Sequence, residues 1–103
     1  MEKFECSITG ETYFQLKGTI ADDKPIREFS YGDGKIGLNV SALVPVDFFG
    51  KKRIRRLDLV CFNELEQQKI LKKKFKAKDK VVITARKTER GLALDTADDI
   101  LKP

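Results

Sequence analysis

The residues best equipped for chemistry in this chain are cations placed next to aromatic rings. Lys51, Lys52, Arg53, Arg55 and Arg56 follow directly on Phe48 and Phe49, and Phe62 comes shortly after them. Recognition of a flexible polyanion that carries flat bases needs both kinds of group. Cations track the phosphates, and ring faces receive bases, each stack contributing about 1–3 kcal/mol. Catalysis has far less to work with. The chain contains no His, which removes the commonest general base and the usual partner of a Ser or Cys nucleophile. The carboxylate pairs Asp22-Asp23 and Asp98-Asp99 are sequence neighbours, and neighbours on a strand point to opposite faces and cannot converge on one bond. No enzymatic activity and no small-molecule substrate are expected.

Metal and redox chemistry are equally poorly supplied. Cys6 and Cys61 are the two cysteines, with no CxxC pair, whereas a structural zinc site draws about four ligands from Cys and His. Neither a metal nor a cofactor is expected, and Cys61 reads as a small buried apolar residue of a strand. The N-terminal Met1-Glu-Lys-Phe-Glu5 lacks the apolar stretch of a signal peptide, and no apolar run approaches the length of a membrane span. A cytoplasmic, nucleoid-associated protein without membrane contact is expected, and in that compartment a disulfide is not.

Charge is distributed in two opposed blocks. Residues 51–90 hold fifteen Lys or Arg against five Asp or Glu, a balance of +10; the remainder holds six against eleven, a balance of −5. Ile54, Leu57, Leu59, Val60, Phe62, Leu65, Ile70, Leu71, Phe75 and Val81 interleave the basic block. A disordered tail would not carry them, so the block is a folded surface with a positive face, suited to a polyanion.

The elements that must hold these groups can be read from periodicity. The 103 residues suffice for one domain with a modest core. Residues 12–20 alternate, with Phe14, Leu16 and Ile20 inward and Tyr13, Gln15, Lys17 and Thr19 outward. Gly18 falls on the inward set, where a glycine marks a bulge or a sharp bend. Phe4, Cys6 and Ile8 alternate as an optional extra N-terminal strand. Residues 26–31 resume briefly after Pro25, and Gly32-Asp-Gly34 supplies a hairpin turn. A second long strand runs over residues 35–46, with Ile36, Leu38, Val40 and Ala42 on one face and Pro45 closing it, and residues 47–53 read as an exposed hairpin loop. A third strand spans 54–63, with Arg56, Val60 and Phe62 on the face opposite Leu57, Leu59 and Cys61. Residues 64–75 have helical spacing with Leu65, Ile70, Leu71 and Phe75 apolar, Asn63 as N-cap, acidic residues at the start and lysines at the end. Strands over 80–88 and 92–100 complete the chain around the turn Glu89-Arg-Gly91. This is an all-β chain with one short helix, and its order is that of a five-stranded oligonucleotide-binding (OB) barrel with the helix between strands 3 and 4.

From about Tyr13 to Ile100 the chain resembles the bacterial single-stranded DNA-binding protein family. The resemblance rests on Leu16-Lys-Gly-Thr-Ile20, on Lys35-Ile-Gly-Leu-Asn-Val-Ser41, on Leu59-Val-Cys-Phe-Asn-Glu-Leu-Glu66 at the junction of strand and helix, and on Lys76-Ala-Lys-Asp-Lys-Val-Val-Ile-Thr84. The chain departs from that family in lacking tryptophan, and it stops at Leu101-Lys-Pro103 without the family's glycine-rich linker and acidic tip. The resemblance implies binding to single-stranded DNA without sequence preference, in replication, recombination or repair, and assembly as a homodimer or homotetramer. Single-stranded RNA is the alternative ligand, and a protein-interaction or scaffold role the alternative function.

The candidate contacts are fifteen. Phe48 and Phe49 offer stacking faces beside Lys51, Lys52, Arg53, Arg55 and Arg56; the other reading of the two rings is a plug for the barrel end or an oligomer interface. Phe62 matches a stacking position of the family and otherwise packs beneath the helix. Tyr13 and Lys17 lie on the outward side of the first strand, and Tyr31 and Lys35 flank the glycine turn. Arg86, Lys87 and Arg90 lead into the last hairpin, where an arginine can meet a phosphate or lie over a base. The run Lys69, Lys72, Lys73, Lys74, Lys76, Lys78 and Lys80 reads as a solvated face that steers from a distance.

Overall fold

The alternating segment at residues 12–20 buries one side and wets the other, and it becomes the strand through which the sheet closes. In the computed structural model, which describes residues 2–5, 10–89 and 91–103 (residues 2–5 and Phe48 by their backbone), the strands are β1 Glu2–Glu5, β2 Thr12–Ile20, β3 Ile26–Gly32, β4 Lys35–Phe48, β5 Lys51–Cys61, β6 Lys80–Thr88, β7 Gly91–Ala93 and β8 Ile100–Leu101. One helix, α1 Glu64–Lys72, and a short 3-10 turn, Ala97–Asp99, accompany them. β2 pairs β4 on one side and β6 on the other, β4 pairs β5, β5 runs parallel to β7, and β7 returns to β6. These five strands form a closed mixed barrel. β1 extends it beside β2, and β3 lies along β4.

The inward residues of each strand fill the barrel. Leu16, Ile20, Leu38, Val40, Leu59, Cys61, Ile83 and Ile100 are fully buried, and Ile70 of α1 joins them. Closure depends on Gly18, where a Cβ would lie 2.3 Å from the Leu43 carbonyl oxygen. Only a residue without a side chain lets β2 reach β4 while it still pairs β6.

Several expectations from the sequence are corrected. In the full strand count α1 lies between β5 and β6, not between strands 3 and 4, because residues 2–5 and 26–32 each form a strand of their own ahead of it. The extra N-terminal strand is Glu2–Glu5; Cys6 and Ile8 lie outside the described residues. Pro45 does not close β4, which continues to Phe48. Beyond Leu43, β4 has a neighbour only on the β5 side, so a residue without an N–H is tolerated there. The hairpin expected at residues 47–53 is present, but its loop is shorter: the turn is Phe49 and Gly50 alone, and residues 47, 48 and 51–53 are paired as strand. The final strand over 92–100 is interrupted. After β7 the Asp99 carboxylate accepts hydrogen bonds from the backbone N–H groups of Asp95 and Thr96, both at 3.0 Å, which turns the chain before β8.

The helix is held differently from its apolar pattern. Asn63 caps it as expected, its side chain accepting from Glu66 N at 3.2 Å. Leu65 and Leu71 are exposed, and Gln67 and Ile70 form the buried face. The Gln67 amide donates to the carbonyls of Ile36 and Cys61, each at 2.9 Å, and so ties α1 to the start of β4 and the end of β5. Among the lysines, the half-buried Lys73 donates to the carbonyls of Ala97 and Ile100, a structural role that the charge run concealed.

Candidate nucleic-acid interface

Strand register brings three aromatic rings onto one outer surface. Phe29 of β3 pairs Gly37 of β4, and β4–β5 pairing matches Leu38 to Cys61, so one further step sets Gly37 beside Phe62. The missing side chain at Gly37 is where the Phe29 ring lies; a Cβ there would stand 2.4 Å from Phe29 Cζ. Phe29 and Phe62 therefore meet across the glycine, edge to face, with centroids 6.3 Å apart.

Tyr31 joins them through an irregularity. Ser30 pairs Ile36 and Gly32 pairs Lys35, so the register passes over Tyr31, and a bulge of this kind re-aims its side chain. The Tyr31 ring lies 5.0 Å from Phe62 and 6.1 Å from Phe29. Each such pair contributes about 0.5–1.5 kcal/mol beyond burial. Even so, Tyr31 is 45% and Phe62 47% exposed, which leaves ring faces to water in a contiguous patch. Phe62 does not pack beneath the helix; it packs on its two aromatic neighbours.

Polar and charged groups flank the rings on both sides. Phe62 shares an open groove of about 650 Å³ with Arg86, Lys87, Thr88 and Glu89. A recess of about 370 Å³ on the other side is lined by Arg27, Glu28, Phe29, Asn39 and Val60. Next to it the buried Ser41 hydroxyl donates to Asp58 Oδ1 at 2.6 Å, and the Asn39 amide donates to the same oxygen at 3.4 Å. The Ser41 hydrogen bond, more than Arg56 and Arg27 nearby, holds the Asp58 carboxyl below its ordinary value of 3.8.

That shift makes a pH prediction. A carboxyl whose folded value is depressed binds its proton more weakly in the native state than in the unfolded chain. Its stabilising contribution is present above the ordinary Asp range and is lost as pH falls through the lower folded value. Ser41→Ala should flatten the acid limb of melting temperature against pH below about pH 4. An unchanged limb in thermal melts would show that the bond contributes nothing.

The five clustered cations are divided by strand alternation. Lys52, Ile54 and Arg56 lie on the β5 face that continues into Asp58, Val60 and Phe62, while Lys51, Arg53 and Arg55 lie on the face of Val46 and Val44. Arg56 also donates to the Asp23 carbonyl at 2.9 Å, which braces it against the β2–β3 connection. Phe49 stands at the hairpin tip, 90% exposed. The Phe48 side chain and Arg90 lie outside the described residues.

The remaining candidates scatter. Lys87 is exposed at the groove, and Lys35 is exposed on Gly37's side of β4. Arg86 lines the groove, but its Nε donates to Asp95 Oδ1 at 3.1 Å and its guanidinium lies 3.7 Å from Glu11. The Asp95 hydrogen bond strengthens its hold on the proton. Tyr13, opposite Arg86, donates to Glu11 at 3.3 Å and so belongs to an acidic neighbourhood. Lys17 lines a different, apolar recess with Leu43, Pro45 and Ile54. The sequence reading missed Phe29, Arg27 and the Asn39–Ser41–Asp58 network. The available signal was Gly37, a glycine inside a strand, which marks close approach by another group.

In fold the chain is similar over its whole length to the crystal structure of a small single-stranded DNA-binding protein from Streptomyces coelicolor, with a TM-score of 0.60, covering 100% of this chain and 95% of that one at 12% sequence identity. No protein-family model and no curated protein matches the sequence. Among the described residues no helix is long and apolar enough to cross a membrane.

Proposed function

We propose that this chain binds single-stranded DNA with little sequence preference, without catalysing a reaction on it. The observation that carries the proposal is the cluster of exposed Tyr31 and Phe62 on the half-buried Phe29, which puts rings between two cation-bearing recesses on a barrel. Bases of any identity have a face to stack, while Arg27, Lys52, Arg56 and Lys87 face the phosphates. The fold shared with the Streptomyces protein supports this reading. Such coating suits replication, recombination or repair in the cytoplasm, where single strands are exposed. Assembly as a homodimer or homotetramer belongs to the same reading, supported by the uncovered apolar recess at Leu43, Pro45 and Ile54, the last 73% exposed.

Fluorescence-anisotropy titration of oligo(dT) across a salt series tests the proposal. The logarithm of the affinity should fall linearly with the logarithm of salt, by about 0.7 for each phosphate neutralised on a single strand. Reversing Lys52 and Arg56 together should lower that slope more than reversing Lys72 and Lys76, which lie in the lysine run. Binding that ignores salt would overturn the proposal, and tighter binding of an equal-length RNA would reassign the ligand.

A further inference from the structure

Strand pairing lays out the surface beside the rings in rows. Phe29 and Gly37 pair in the first row, and Arg27, Asn39 and Val60 form the next. Ser41 and Asp58 pair in the third. Alternate residues share a face, so the recess of about 370 Å³ that includes Arg27, Asn39 and Val60 in its lining lies between the ring row and the Asp58 row. That volume is in the range of pockets that take small molecules.

The Asp58 carboxylate is fixed beside this recess by one of its oxygens. Ser41 and Asn39 both donate to Oδ1, at 2.6 and 3.4 Å, which keeps the group ionised and leaves Oδ2 out of both bonds. Asp58 is exposed. Joining β4 to β5 does not need its charge: the two strands already pair at Ser41 and Asp58, and an Asn oxygen would accept the same hydrogen bonds. On a face that receives a polyanion, a fixed negative charge repels phosphate. What it attracts is N–H, and the unpaired base edges of a single strand supply that.

Base edges differ in what they offer. Guanine sets two donors, N1–H and the N2 amino group, beside the O6 acceptor. Cytosine and adenine each have one amino group next to a ring acceptor, and thymine has one N–H between two carbonyls, which a carboxylate repels. A carboxylate with a guanidinium close by therefore matches guanine best. Oδ2 takes the donor pair, and Arg27, exposed in the neighbouring row, has N–H groups enough to meet O6 and still face the backbone.

We infer that this recess is a base-reading subsite, in which Asp58 and Arg27 hold the edge of a guanine stacked beside the ring cluster, so that one position of an otherwise unselected strand prefers guanine. The inference rests on the single-strand reading above and deepens it.

Competition anisotropy tests this with oligo(dT) strands of equal length in which one central thymine is replaced by guanine, hypoxanthine, cytosine or adenine. The guanine strand should bind the full chain about fivefold or more tighter than plain oligo(dT), the lower end for a two-point base contact. Hypoxanthine, which is guanine without the N2 amino group, should lose most of that gain. In Asp58→Asn, which keeps the side-chain shape, the guanine and hypoxanthine strands should bind alike, while plain oligo(dT) binds tighter because a charge that repels phosphate is gone. Arg27→Gln should weaken every strand and the guanine strand most; being an exposed change, it serves if Asp58→Asn does not fold, as does the hypoxanthine comparison on the native chain. Equal affinities across the set overturn the inference. So does a guanine preference that survives both substitutions, or one that Asp58→Asn leaves intact while all strands tighten by the same factor. If the chain fails to bind oligo(dT), the single-strand reading and the subsite fall together. If it binds oligo(dT) and guanine gains nothing, the subsite alone falls.

Discussion

Phe62→Ala is expected to weaken binding to oligo(dT) by roughly 5- to 150-fold, the equivalent of about 1–3 kcal/mol for one lost stack, while the fold remains intact. Phe62 lies just past the last residue of β5 and is 47% exposed, so its removal opens no cavity in the barrel. What the structure loses is the edge-to-face contacts with Tyr31 and Phe29 at 5.0 and 6.3 Å, about 0.5–1.5 kcal/mol each. Binding loses a ring face and also the neighbour that orients the other two rings. Anisotropy titration and a thermal melt separate the two effects. The salt slope should stay as in the native chain, because no cation is removed. Undiminished affinity in this variant, alongside weakened binding when Lys52 and Arg56 are reversed, would eliminate stacking and leave an electrostatic binder.

For stability the largest effect is expected from one added methyl group at the barrel seam. Gly18→Ala should destabilise the fold by about 3 kcal/mol or more, at the upper end of overpacking penalties, which at 4–8 °C per kcal/mol lowers the melting temperature by roughly 12–24 °C. The new Cβ would lie 2.3 Å from the Leu43 carbonyl oxygen and 3.1 Å from Val44 Cγ2. The first is a backbone atom that cannot rotate away. Relief requires β2 and β4 to separate where Thr19 pairs both Leu43 and Lys80, which opens the barrel. Gly34→Ala is the comparison: nothing lies within 4 Å of its Cβ, and only its φ of 67° opposes the change, about 1 kcal/mol. Equal melting of the two variants would show that closure at Gly18 is not tight.

Much of the barrel was legible because strand alternation is local. Leu16, Ile20, Leu38, Val40, Leu59 and Cys61 were readable as one-sided apolar residues, and all are fully buried, although Ile36, on the face of Leu38 and Val40, is 46% exposed. The Asn63 cap was readable for the same reason, since its hydrogen bond spans three residues. The errors arose where a distant neighbour decides. Pro45 is compatible with a strand only because β4 has lost its second partner there. Leu65 and Leu71 have the right spacing for a buried face, yet the helix meets the barrel through Gln67, whose amide finds two carbonyls left by β4 and β5.

The candidate interface divides in the same way. The positive block, the absence of histidine and the pairing of aromatics with cations are properties of composition and short spacing. By themselves they set the chemistry on offer, cations and ring faces suited to a polyanion, and left out the commonest general base. Which rings stand together was decided only by the tertiary structure. Phe29 and Phe62 are far apart in sequence and meet because two register relations place Gly37 between them. Tyr31 turns toward them because a bulge shifts the register, and Arg86, a promising cation in the sequence, lies against Asp95 and Glu11. Side-chain type and alternation are written residue by residue, whereas register and charge pairing are relations between strands, which exist only once the barrel has closed.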